Sequence, residues 1–154
     1  IEEIRLLSSR QVTPLKDIDL EFLVRMLADN SGKAGVAEFN FTYSVSNKLL
    51  SDELKLNIYR IIQELVNNII KHSNAGFIHL TQNANGNNLY LRLHHDGKGI
   101  VQAEFDKLNH NASGLGLKNI ASRMKVLNGR IYFEIDPSQT YYKVTLEIPK
   151  TPLV

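Results

Sequence analysis

The segment from Ser51 to Ser73 constrains the fold more than any other part of the chain. Ile58, Ile62, Leu65, Val66, Ile69 and Ile70 recur at helical spacing and gather on one side. Ser51 is a capping residue, and Asp52 and Glu53 follow it where the helix dipole favours acids. Asn74 to Gly76 provide the stop. A long helix with one apolar stripe has to bury that stripe against another layer. The next residues supply one. "GFIHLTQ" and "LYLRLHH" read as apolar strands, joined through "NANGNN", whose Asn85-Gly86 pair is a hairpin signal.

The flanking sequence extends the same two layers. In "DIDLEFLVRMLADNSGKAG", Leu20, Leu23 and Leu27 keep helical spacing beside Phe22 and Met26, and Gly32 and Gly35 end the run. "AEFNFTYSV" alternates, with Phe39, Phe41, Tyr43 and Val45 on one face and Glu38, Asn40, Thr42 and Ser44 on the other. A polar stretch runs to Ser113, and a helix follows from about Gly116 to Leu127, stopped by Asn128-Gly129. "RIYFEI" and "YKVTLEI" close the chain around an Asp136-Pro137 turn. The expected fold is α+β: a two-layer sandwich whose mixed, mostly antiparallel sheet carries its helices on one face. Ile1 to Leu7 read as the last turns of a helix and Pro14 marks a break. Residues 1–13 are therefore expected to be a connector and 14–154 one domain.

Bulk properties exclude several function classes. A chain of 154 residues with 43% hydrophobic content can bury a core unaided. With no cysteine, a disulfide scaffold and thiolate zinc sites are excluded. A formal charge of +2 is too small to argue for nucleic acid as partner. No apolar run is long enough to span a bilayer.

Candidate chemistry lies in three places. Arg60, Glu64, Asn68 and Lys71 share the polar side of the long helix, and Asn67 and Asn68 are poor helix formers placed in its interior. A solvated helix face explains such a stripe in general. A carboxylate, an amide oxygen and an ammonium together also suit a hydrated Mg²⁺ carrying phosphates. Next, "DGKG" follows a strand, and its glycines let backbone come close to a ligand or to a turn. Finally, "SGLGLKNI" opens a helix, where free amides form an anion site. Neither glycine loop has the spacing of a P-loop or a dinucleotide fingerprint. His94 and His95 precede the first loop. His95 shares a face with Leu89, Leu91 and Leu93, while His94 points with Tyr90 and Arg92, so the pair cannot close on one metal.

The order of these pieces resembles the ATP-binding catalytic domain of sensor histidine kinases. That superfamily is shared with type II topoisomerases, the ninety-kilodalton heat-shock chaperones and MutL, and its architecture is the Bergerat ATP-binding fold. "YRIIQELVNNIIKHSNA" is similar to the asparagine box, "DGKGI" to the first glycine box and "GLGLKNIASRMKVLNGRI" to the second. The phrasing most resembles the branch that includes nitrate and nitrite sensor kinases, and the likeness runs from about Leu20 to Pro149.

The resemblance implies roles for particular residues. Asn68 would ligate Mg²⁺ bridging the ATP phosphates, Glu64 would orient or deprotonate the attacking histidine, and Lys71 would contact phosphate. His95, Asp96, Gly97 and Gly99 would form the adenine end. Ser113, Gly114, Leu115, Gly116 and Leu117 would wrap the phosphates as a lid closes. The acceptor would be a histidine on an upstream dimerisation helix, and none of His72, His79, His94, His95 and His110 sits on one. Further implied partners are a response regulator and a second copy of the chain. The implied setting is the cytoplasmic part of a membrane-bound bacterial sensor.

Two departures stand out. The first glycine box usually begins with an aspartate whose carboxylate accepts from the adenine amino group, and position 95 is histidine. Tyr141 and Tyr142 replace a common Gly-Thr pair beside the same pocket. A nucleotide-binding or interaction module without phosphotransfer is the alternative these departures favour. A topoisomerase- or chaperone-like ATPase would need a longer lid and a transducer domain.

Overall fold

Along Asn88–His95 burial alternates residue by residue: Leu89, Leu91, Leu93 and His95 are buried, and their neighbours are half-buried on the opposite face. A strand with this pattern covers a core on one side only. In the computed structural model, which describes residues 18–33, 38–43, 50–100, 102–108, 115–136, 138 and 141–150, this strand is the centre of a five-stranded sheet. The described elements run α1 (Leu20–Lys33), β1 (Glu38–Tyr43), α2 (Asp52–His72), β2 (Phe77–Asn85), β3 (Asn88–His95), α3 (Gln102–Leu108), α4 (Leu115–Val126), β4 (Arg130–Ile135) and β5 (Tyr142–Pro149). Strand order is β1-β2-β3-β5-β4, with β1 parallel to β2 and the other pairs antiparallel. The expected mixed, mostly antiparallel sheet with its helices layered on one face is what forms.

Helix α2 lies over the middle of the sheet. Its Ile58, Ile61, Ile62, Leu65, Val66 and Ile69 are buried together with Ile78, Leu80, Leu91, Leu93, Leu146 and Ile148 of the strands. Each such side chain contributes about 1.5–3 kcal/mol by leaving water, so α2 is held mainly by this stripe. Its start is fixed locally, because the Ser51 side chain accepts from the Leu54 amide at 3.2 Å. Its end is fixed by Asn74, whose φ of 53° turns the chain out of the helix, and Asn128 does the same for α4 at 55°. One charged residue enters the buried layer. Lys55 pairs with Asp52 at 3.0 Å and donates to the Ile18 carbonyl at 2.5 Å, while the Ile18 amide donates to Asp52 at 3.1 Å. These contacts tie the entry to α1 onto the first turn of α2.

The structure departs from expectation in two elements. The stretch expected to be polar loop contains α3, a seven-residue helix. Its anchor is Phe105, 3% exposed and 4.6 Å from the Phe133 ring. Gln102 adds a hydrogen bond, accepting from the Phe133 amide at 2.9 Å. Val101, Phe105 and Leu108 do keep helical spacing in the sequence, but over a single short run within an otherwise polar stretch. Strand β2 also runs on to Asn85, past the "GFIHLTQ" segment. The connector at 1–13, Pro14, Val45 and Pro137 lie outside the described residues.

Candidate functional site

The loop after β3 is fastened to the end of α2. Asp96 accepts from the Gly76 amide at 2.8 Å and the Phe77 amide at 3.0 Å. The Phe77 amide is the largest of several backbone donors that hold its carboxyl below the ordinary range. The Lys98 amide donates to the Ser73 carbonyl at 2.8 Å. Gly97 fills the space between, and a Cβ there would lie 2.3 Å from that carbonyl oxygen. The close approach that Gly97 permits is thus to the protein's own backbone.

With the loop pinned, α2, the end of β3 and the start of β5 frame a cavity of about 340 Å³. Leu65, Ile69, Ile100, Leu117, Phe133 and Val144 give it apolar walls. Asn68, His72, Ser73, His95, Lys98, Glu104, Tyr142 and Lys143 line it with polar groups, and Gly99 completes the wall. A flat apolar body with a few polar edges fits such a space.

One end is aromatic. His95 is 2% exposed and lies parallel to its cross-strand partner Tyr142, with ring centroids 5.6 Å apart and 14° between planes. The Tyr142 ring also presses on Gly99, where a Cβ would come within 2.4 Å of it. Burial pushes the His95 imidazole down to about 4, and the neighbouring Asp96 charge opposes that shift. The ring is therefore neutral at physiological pH, and its Nδ1 is buried without a hydrogen-bond partner. His94 points to the other face. Its pKa is lowered by burial first, then by Lys143, His79 and Arg92.

The other feature is Asn68, whose Nδ2 is buried without a partner. Gly116, near the start of α4, rests on it: a Cβ at Gly116 would lie 2.9 Å from Glu64 Oε2 and 3.4 Å from Asn68 Nδ2. A carboxylate and an amide therefore meet the opening of a helix at the cavity. These are oxygen donors of the kind Mg²⁺ takes. Among the described residues no cluster of three or more His, Cys, Asp or Glu forms a protein cage for a metal. An ion held here would draw its other ligands from water and phosphate, as Mg²⁺ commonly does.

Of the sequence-predicted residues, Asn68, His95, Gly99 and Leu117 line the cavity, and Glu64 and Gly116 adjoin Asn68. Lys71 is exposed outside the lining, Asp96 faces the Gly76–Phe77 backbone, and Gly97 packs behind the wall. Leu115 is placed only as the first residue of α4, and His110, Ser113 and Gly114 lie outside the described residues. Phe133, Val144, Glu104 and Lys143 were not anticipated. They come from α3, β4 and β5, and only the sheet order brings them to α2.

Residues 53–152 match the family described as histidine kinase-, DNA gyrase B-, and HSP90-like ATPases. The chain belongs to this family. Among relatives, it is 33% identical over 94 residues to the sensor histidine kinase ComP of Bacillus subtilis, covering 61% of this chain and 12% of ComP. It is 24% identical over 152 residues to the oxygen sensor histidine kinase NreB of Staphylococcus carnosus, covering 98% of this chain and 42% of NreB. The chain thus spans less than half the length of either. Its fold matches the Acinetobacter baumannii histidine kinase AdeS with a TM-score of 0.71 at 19% identity, over 97% of this chain and 76% of that one. Within the ATPase family, both relatives are sensor kinases by name, in keeping with the branch indicated by the three boxes.

Proposed function

We propose that this chain is the ATP-binding catalytic domain of a sensor histidine kinase, transferring the γ-phosphoryl group of ATP to a histidine on an upstream dimerisation segment. The observation that carries it is the meeting of Asn68, Glu64 and Gly116 at one side of an apolar cavity of about 340 Å³. The apolar walls take the base. The α4 opening takes phosphate, since helix N-termini present unpaired amides to anions. Mg²⁺ at Asn68 would neutralise phosphate charge.

In the transfer, an imidazole nitrogen attacks the γ-phosphorus as the bond to the bridging oxygen breaks and ADP leaves with that electron pair. The ring proton passes to Glu64, which adjoins the site through Gly116. Such a reaction depends on positioning and charge more than on covalent work by the protein. The dimerisation segment, a response regulator and a second copy are the protein partners of this reading. A setting on the cytoplasmic side of a membrane-bound bacterial sensor completes it. No described helix is itself long and apolar enough to cross a membrane.

A second reading, nucleotide binding without transfer, is favoured by the stacked His95–Tyr142 pair at the base end. Titration of ATP with and without Mg²⁺, on the parent and on Asn68→Ala, tests the first reading. Asn68 lies off the apolar stripe, so the variant should fold and lose the Mg²⁺-dependent part of its affinity. Equal Mg²⁺ dependence in both proteins would refute the assignment. Phosphotransfer to a supplied dimerisation segment then separates the two readings.

A further inference from the structure

We propose that His95, braced by Tyr142, makes the base end of the cavity accept amino- and carbonyl-bearing purines alike, so that this domain takes ATP and GTP with comparable affinity. The proposal rests on reading the cavity as a nucleotide site.

Its basis is the hydrogen-bonding chemistry of the group at that end. A carboxylate is an acceptor only, so it pairs with the amino group of adenine and repels the carbonyl oxygen of guanine. A neutral imidazole has one donor and one acceptor nitrogen, and exchange of tautomers exchanges them. His95 is kept neutral by burial, with Leu91 and Leu93 on the same strand face, and its Nδ1 is buried with no protein partner. No hydrogen bond in the structure therefore commits that nitrogen to one role. An incoming purine edge of either kind can set the tautomer and satisfy the ring.

Tyr142 gives the imidazole a fixed place while leaving its protonation free. The two rings are parallel at 14°, and the Tyr142 side chain also lies close against Gly99. Stacking engages only the faces of the imidazole, and the ring itself lines the cavity. Tyr142 is thus a positioning residue, and His95 is the group that meets the base. Ile100, Phe133 and Val144 give the cavity apolar walls that do not distinguish one purine from another, and Lys98, Lys143 and Glu104 are its charged lining. A site whose buried group pairs with one pattern rejects the other strongly, whereas a site with a two-way group does not.

Competition between ATP and GTP for the full chain, at fixed Mg²⁺ and neutral pH, tests the proposal. The expected affinities agree within about tenfold, the scale of one mismatched neutral hydrogen bond. An ATP preference beyond about a hundredfold would overturn it. His95→Asp should shift the ratio toward ATP by tenfold or more, because a charged acceptor then faces the guanine carbonyl. His95→Asn, which keeps one donor and one acceptor, should leave the ratio near that of the parent. Tyr142→Phe should also preserve the ratio, and Tyr142→Leu should weaken both nucleotides together. If His95→Asp folds, as judged by its thermal unfolding, and the ratio does not move, His95 does not read the base and the proposal is wrong. Absence of any Mg²⁺-dependent triphosphate binding is a distinct result: it overturns the nucleotide-site reading and the proposal with it.

Discussion

Substituting Gly97 and Gly99 separately should distinguish a backbone constraint from a side-chain constraint in the same loop. At Gly97 an added methyl meets the Ser73 carbonyl oxygen at 2.3 Å, the Ala75 amide nitrogen at 2.8 Å and the Ala75 Cα at 2.9 Å. All three are backbone atoms, so relief requires moving the loop away from the end of α2. Overpacking of this kind costs about 1–3 kcal/mol. Separation also strains the bond from the Lys98 amide to the Ser73 carbonyl, worth about 0.5–1.5 kcal/mol. Gly97→Ala should therefore lose about 3 kcal/mol. At Gly99 the methyl meets the Tyr142 ring at 2.4 Å, and a side chain can turn aside. Gly99→Ala should cost about 1–2 kcal/mol, and most of that should vanish in a Tyr142→Ala background, a coupling that a double-mutant cycle measures. Urea unfolding at constant m-value reads both effects. The reasoning fails if Gly97→Ala stays within about 0.5 kcal/mol of the parent, or if Tyr142→Ala rescues Gly97→Ala as well as Gly99→Ala.

Folding stability should fall as pH drops from 6.5 to 4. Buried His95 has its folded pKa lowered to about 4, so across that window the unfolded chain binds the extra proton. The contribution is complete above pH 6.5 and amounts to about 3 kcal/mol at most, and urea midpoints for His95→Leu should show that part of the slope gone. Asp96, whose folded pKa is lowered, acts in the more acidic range, with its contribution lost as pH falls below the ordinary carboxylate value. Lys55→Ala should cost about 1–3 kcal/mol by removing the ammonium that pairs with Asp52 and donates to the Ile18 carbonyl, measured by the same denaturation. Phe105→Ala should cost about 3 kcal/mol and speed hydrogen exchange across α3, because that helix has no other buried anchor among its described side chains. Unchanged exchange would show that the Gln102–Phe133 hydrogen bond holds α3 by itself.

The local elements were legible because their causes are local. A 3.6-residue stripe specifies α2, Ser51 and Asn74 its ends, and two-residue alternation places His95 with the leucines of β3. The three motifs likewise announced the ATPase family, since each is a run of neighbouring residues. Tertiary structure decided what those residues touch. The motif marks Gly97 as a point of close approach, and the fold shows that the space a Cβ would fill there is taken by the Ser73–Ala75 backbone. The stack of His95 on Tyr142 joins residues 47 positions apart and exists only through the register of β3 on β5. The same register fixes which face of the imidazole is covered. Chain pattern thus determines which face a side chain takes, and strand pairing determines the neighbour it meets there.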